Sequence, residues 1–234
     1  MLAQLHDSHT AVYSPQDLQP PRDQHRHAVF GMSPDGFADG PAVDWKTLAP
    51  GVGYLRITSF PDSMNSVLRW AMSDLGHDRA LVLDLRGNPG GLVDEAVSLV
   101  GIFVPKGSPV VTTVGLHDPR QTLKTHAAPA TTLPIVVLVD RYSASASEIV
   151  SGALRDDGRA ILVGERTFGK AVVQETVELP NRGALHFTIA RYLTPQGLDL
   201  NHRGLTPNIV ITTSPTATSD PALQRAAAAA AAGR

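Results

Sequence analysis

The chain has 234 residues, of which 42% are hydrophobic and 18% charged, with a formal net charge of -2 and no cysteine. That composition allows a sizeable buried core and excludes disulfides, thiolate catalysis and Cys-ligated zinc. The near-neutral balance, with no run of Lys or Arg, argues against a nucleic-acid partner. No stretch approaches the ~18 uninterrupted apolar residues that would mark a membrane-spanning helix.

Met1 opens on an apolar stripe (Leu2, Leu5), which predicts that residues 1–12 are the end of a helix whose upstream part is missing. Ser14-Pro15 breaks it. The start has neither the basic nor the long apolar region of a signal peptide. Residues 15–42, rich in Pro, Gly, Asp and His, read as a long linker. From Gly51 the pattern tightens: Val52–Ile57 predicts a strand and Ser66–Leu75 a helix. Ala80–Leu85 (ALVLDL) is a nearly continuous apolar run, as expected of a strand buried on both faces. Arg86–Gly91 (RGNPGG) is a tight turn. Leu92–Phe103 is a helix with Ala96, Leu99, Val100 and Phe103 on one stripe and Asp94 and Glu95 in its first turns.

The unit then repeats. Leu133–Val139 predicts a second buried strand, Ser145–Leu154 a second helix and Ala160–Val163 a third strand. Val172–Leu179 and Leu185–Tyr192 form a hairpin around Pro180–Gly183. Asp220-Pro221 reads as an N-cap with proline at the first helical position, leading into an alanine-rich helix. The expected division is a helical remnant over 1–14, a linker over 15–42, a core over 43–212 and a tail over 213–234. The alternation predicts an α/β core of stacked strand–turn–helix units with a small antiparallel β attachment and the remnant N-terminal helix.

Three segments carry candidate chemistry. In Val139–Val150 (VDRYSASASEIV) a buried strand runs through a polar turn into a helix that begins at Ser145. A helix N-terminus offers free N–H groups and a favourable dipole to developing negative charge, which suits an oxyanion. The same residues also fit a plain capping box, Ser145-Ala-Ser-Glu148. In Gly164–Gln174 (GERTFGKAVVQ) one lysine, Lys170, stands between Phe168, Ala171, Val172 and Val173. Desolvation there would lower its pKa and let it act as a base; the alternative is a surface lysine whose stem covers apolar neighbours. The third segment, Arg86–Gly91, has two adjacent glycines that let backbone N–H groups approach an anion, but no Gly-Lys-Ser/Thr follows, so it is not a phosphate loop.

Taken in this order, the segments resemble the C-terminal processing peptidases, or tail-specific proteases, of serine peptidase family S41. The resemblance runs from about Gly51 to Ile211 through GYLRITSF, LVLDLRGNPGG, VLVDRYSASASEIVSGAL, VGERTFGKAVVQ and GLTPNIVI. It implies a ClpP/crotonase-like fold, a serine endopeptidase acting on polypeptides, and no metal or organic cofactor. Carried over, the nucleophile is Ser145, its base Lys170 and the residue that orients the base Gln174. Ala146 and either Gly90 or Gly91 supply the oxyanion N–H groups, Glu148 has a supporting role, and Ser143 and Ser147 shape the turn. Along a strand Lys170 and Gln174 would stand about 13 Å apart, so this role for Gln174 predicts that residues 170–174 curl. The resemblance also implies a bacterial envelope or periplasmic location and leaves a homo-oligomer open.

The linker is too short for the PDZ domain the family usually carries, which predicts a PDZ-less or truncated member. In tricorn-like relatives a Ser-His pair serves the nucleophile, which makes His9 the alternative base. The other histidines show no metal-ligand spacing. Retinoid-binding proteins of the eye reuse this fold without peptidase work, so a catalytically silent binding module is the rival from another class. A crotonase-like acyl-CoA enzyme would leave the serine–lysine pair without a purpose.

Overall fold

Neighbouring side chains on a strand point to opposite faces of the sheet, so a strand that is apolar throughout must be covered on both. The computed structural model, which describes residues 10–14, 42–115, 120–212 and 219–233, shows this arrangement. Strands β1 (Ala11–Tyr13), β2 (Val43–Ala49) and β3 (Val52–Ile57) precede helix α1 (Met64–Asp74). Strand β4 (Ala80–Asp84) is followed by α2 (Val93–Gly101), then by β5 (Pro109–Gly115) and β6 (Gln121–Lys124). Strand β7 (Ile135–Val139), α3 (Ala146–Asp156) and β8 (Ala160–Gly164) come next, then the hairpin β9 (Val172–Glu178) and β10 (Ala184–Leu193). Strand β11 (Ile209–Val210) and α4 (Pro221–Ala231) end the described chain.

Six strands form the central sheet in the order β11-β8-β7-β4-β3-β2. All its pairings are parallel except β2 on β3. Leu55, Ile57, Leu81, Leu83, Val137 and Val139 fill one face together with buried residues of α1, α2 and α3. Their sequence neighbours Tyr54, Val82, Val136 and Leu138 fill the other with Ala222, Ala226 and Ala229 of α4. Alanines on that stripe let a helix backbone lie close to the sheet. Asp220 caps α4 by accepting the Leu223 N–H at 2.9 Å, with Pro221 in the first turn. The same carboxylate binds Arg86 at 2.8 Å, and Arg86 in turn grips the buried Asp84 at 2.6 Å.

The expected α/β core and hairpin are present, and the antiparallel part is larger than the hairpin alone. Strands β1, β10, β5 and β6 lie side by side, with β9 on β10, as a five-stranded sheet. Residues 11–13 correct one expectation: they form a strand paired to His186, Leu185 and Ala184 rather than the end of a helix. The linker over 15–42 lies outside the described residues apart from its last one.

Parallel neighbours bring their C-terminal ends to one edge of the sheet, where the loops that follow can meet. At that edge β7 and β8 approach so closely that a Cβ on Gly164 would stand 2.0 Å from the Val139 carbonyl oxygen, at a φ of +127. Gly158 also has a positive φ, +70, but open space around it. Gly158→Ala is therefore expected to cost about 1 kcal/mol from backbone strain alone. Gly164→Ala is expected to cost about 4 kcal/mol or more. Chemical denaturation of the two variants checks this; equal losses would mean that the β7–β8 contact is not tight.

Candidate active site

Three loops leave adjacent parallel strands and converge. The glycine turn follows β4, the serine turn follows β7 and the lysine loop follows β8, so the serine turn lies between the other two.

The serine turn is locked from below. Ser143 and Ser147 are fully buried, and their hydroxyls donate to the carbonyls of Leu85 at 2.8 Å and Asn88 at 2.9 Å. Both serines thus bind the turn after β7 to the turn after β4. Ser145 differs from them. It is half-buried and sits at φ 53, ψ -115, a sparsely populated conformation for a non-glycine residue. Such strain costs about 1–3 kcal/mol and persists only where the surroundings enforce it. The Ser145–Glu148 pair forms a capping box, in which the Ser145 hydroxyl oxygen faces the Glu148 N–H as an acceptor and its proton has no acceptor among the described residues. The Glu148 N–H also donates to the Ser145 carbonyl at 2.8 Å. Of the three serines, only Ser145 keeps its hydroxyl clear of backbone carbonyls.

Glu148, 1% exposed, reaches much further than a cap. Its Oε2 accepts the backbone N–H of Ser145 at 3.1 Å and that of Lys170 at 2.9 Å. Its Oε1 accepts from Gly169 N–H at 2.8 Å and from the Thr167 hydroxyl. Thr167 Oγ1 in turn accepts the Leu205 N–H at 2.7 Å, so its own proton is free to go to the carboxylate. Burial pushes the Glu148 carboxyl above its ordinary value of 4.5, against four hydrogen bonds that favour the ionised form. One carboxylate oxygen therefore binds the backbones of both Ser145 and Lys170. The lysine loop is further clasped by residues 202–205: Thr167 N–H donates to Leu205 O at 3.1 Å and His202 N–H to Gly169 O at 2.8 Å.

Lys170 is half-buried, and burial lowers its amine below the ordinary 10.5. Ala171 and Val172 are buried beside it and Val173 packs against the core, whereas Phe168 is 59% exposed. The amine has no hydrogen bond or ion pair among the described residues. The expected curl over residues 170–174 does not form. Val172–Glu178 is an extended strand in which Gln174 pairs with Thr188. His9 lies outside the described residues.

The glycine turn presses against Ser145. A Cβ on Gly90 would stand 2.8 Å from Ser145 Cβ and 3.0 Å from Ala146 N. One on Gly91 would stand 2.4 Å from the Phe60 carbonyl oxygen. Gly90 donates its N–H to Asn88 Oδ1 at 2.8 Å. The N–H groups of Gly91 and Ala146 have no partner among the described residues. Among the described residues no cluster of His, Asp and Glu could hold a metal ion.

Sequence reasoning identified the serine and lysine segments but missed the reach of Glu148 and the whole of Asn88. Only the S-x-x-E spacing pointed to the first; nothing beyond an Asn-Pro-Gly turn pointed to the second.

Comparisons with known proteins bear on the family. A carboxyl-terminal-processing protease of Picosynechococcus sp. is 39% identical over 167 residues, 70% of this chain and 40% of that protein. The chloroplastic carboxyl-terminal-processing peptidase 3 of Arabidopsis thaliana is 39% identical over 166 residues, 69% of this chain and 32% of that protein. The chain therefore spans two fifths or less of the length of these relatives. Among solved structures, a photosystem II D1 C-terminal processing protease superposes with a TM-score of 0.67 at 30% identity, over 80% of this chain and 52% of that one. Residues 51–211, which hold all three converging loops, match peptidase family S41, and the chain belongs to that family.

Proposed function

We propose that this chain carries the catalytic centre of a serine endopeptidase that cleaves polypeptides through an acyl-enzyme. One observation carries the reading: a strained serine whose hydroxyl proton has no acceptor among the described residues shares a buried carboxylate oxygen with the backbone of a desolvated lysine. In the proposed reaction neutral Lys170 removes the Ser145 hydroxyl proton while Oγ bonds to the peptide carbonyl carbon. The carbonyl π electrons move to oxygen, and the resulting oxyanion is held by the N–H groups of Ala146 and Gly91. Gly91 is assigned this part over Gly90 because the Gly90 N–H is already bonded to Asn88. The C–N bond then breaks as Lys170 delivers its proton to the leaving amine, and water releases the acyl group by the reverse sequence.

The family pattern gives Gln174 the orientation of Lys170, but the segment is extended from Val172 on, which sets the two residues about 13 Å apart along the chain; orientation by Gln174 would require this segment to curl in the working enzyme. The relatives named above come from a cyanobacterium and a chloroplast. The bacterial envelope is the location that the resemblance to the family implies. No helix among the described residues is long and apolar enough to cross a membrane.

Ser145→Ala and Lys170→Ala should each keep the wild-type circular dichroism and lose casein hydrolysis by about 10⁴-fold or more, as members of a unit that acts together. His9→Ala should retain most of the rate. Hydrolysis that survives in Ser145→Ala, or that disappears in His9→Ala and survives in Lys170→Ala, rules out the assignment.

The pH profile provides a separate check. The neutral amine is the active form and burial lowers its pKa, so kcat/KM should rise with pH along a limb that lies below 10.5. A limb at the ordinary lysine value would show that Lys170 is not desolvated in the working enzyme.

A further inference from the structure

We infer that Asn88 is a positioning residue for the oxyanion site: it fixes which N–H of the glycine turn is left for the reacting carbonyl, and where. This rests on the acyl-transfer reading above. Asn88 is fully buried, and the ends of three strands meet on it. Its Nδ2 donates to the carbonyl of Ile57, the last residue of β3, at 2.8 Å. Its Oδ1 accepts the Gly90 N–H at 2.8 Å. Its backbone carbonyl accepts the Ala144 N–H at 3.0 Å and the Ser147 hydroxyl at 2.9 Å. A carbonyl can only accept and an N–H can only donate, so these partners also fix which way the amide faces.

The consequence for chemistry follows from the neighbouring glycine. With the Gly90 N–H taken up by Asn88, the Gly91 N–H is the donor of the pair without a partner among the described residues. Gly90 itself packs against Ser145 and Ala146 with no room for a Cβ. A turn wedged this tightly passes any displacement of Gly90 on to the two N–H groups proposed to hold the oxyanion. Only an amide serves both partners at once. Alanine serves neither, and a carboxylate retains the acceptor but faces the Ile57 carbonyl with no donor and adds charge behind the oxyanion. A residue of purely structural importance would weaken folding without preferring one state of the reaction. A positioning residue for the oxyanion weakens the transition state selectively.

The test uses Asn88→Ala and Asn88→Asp in the full chain, a peptide substrate, and two inhibitors of one peptide sequence: an aldehyde, which forms an oxyanion on serine, and the corresponding alcohol, which does not. The comparison is made on whichever variant retains the wild-type circular dichroism. The expected result is a fall in kcat of about 10- to 100-fold with KM nearly unchanged. Aldehyde affinity should fall by a similar factor while alcohol affinity holds. Equal weakening of aldehyde and alcohol, or wild-type values for both, overturns the role of Asn88 while leaving the peptidase reading intact. A wild-type protein that neither cleaves the peptide nor prefers the aldehyde overturns that reading, and this inference with it.

Discussion

A buried carboxylate, Glu148, is the constraint on which the rest of the site depends. Carboxylates are rarely buried unless their charge is met, and here four donors meet it. Two of those donors are the backbone N–H groups of Ser145 and Lys170, from loops that leave neighbouring strands. Burial makes the arrangement unforgiving, since any loop that drifts away leaves an anion without compensation in a low-dielectric interior. Electrostatic cost is thereby converted into geometric precision. Among the described residues the lysine side chain makes no hydrogen bond even though its backbone is held.

The sheet explains why such a constraint can exist. Strands β4, β7 and β8 are parallel and adjacent, so their following loops emerge side by side at one edge. The serine turn occupies the middle position and is bound on both sides. Ser143, Ser147 and Asn88 tie it to the glycine turn, and Glu148 ties it to the lysine loop. On the far face α4 is capped by Asp220, whose carboxylate also binds Arg86 at the head of the glycine turn. The strain at Ser145 is sustained because every neighbour of that residue is pinned.

Much of this was legible in the amino-acid order, and what was not has physical reasons. ALVLDL and PIVVLV could only be strands covered on both faces, and the glycines of RGNPGG could only be a tight turn. The hairpin around Pro180–Gly183 and the Asp220-Pro221 cap were equally local signals. Strands β5 and β6 are Thr-bearing and partly exposed, so the alternation that marks a half-buried strand is faint in them. β1 pairs with a strand more than 170 residues away, which no local pattern encodes. Glu148 was masked by its own explanation, since a capping box accounts for it within one helical turn while its decisive partners lie about twenty residues on. Asn88 looked like a turn former because its long-range amide bonds leave no trace in spacing. The curl expected of residues 170–174 gave way to pairing of β9 with β10, which satisfies the backbone of that segment.

In the proposed reaction Lys170 makes Ser145 nucleophilic. Exposure of the full chain to a serine-directed fluorophosphonate at neutral pH, followed by peptide mapping with mass spectrometry, measures this without choosing a substrate. A single adduct on Ser145 is expected, formed about 10³-fold more slowly in Lys170→Ala. An adduct on another serine, or modification of Ser145 at the wild-type rate without Lys170, would contradict it.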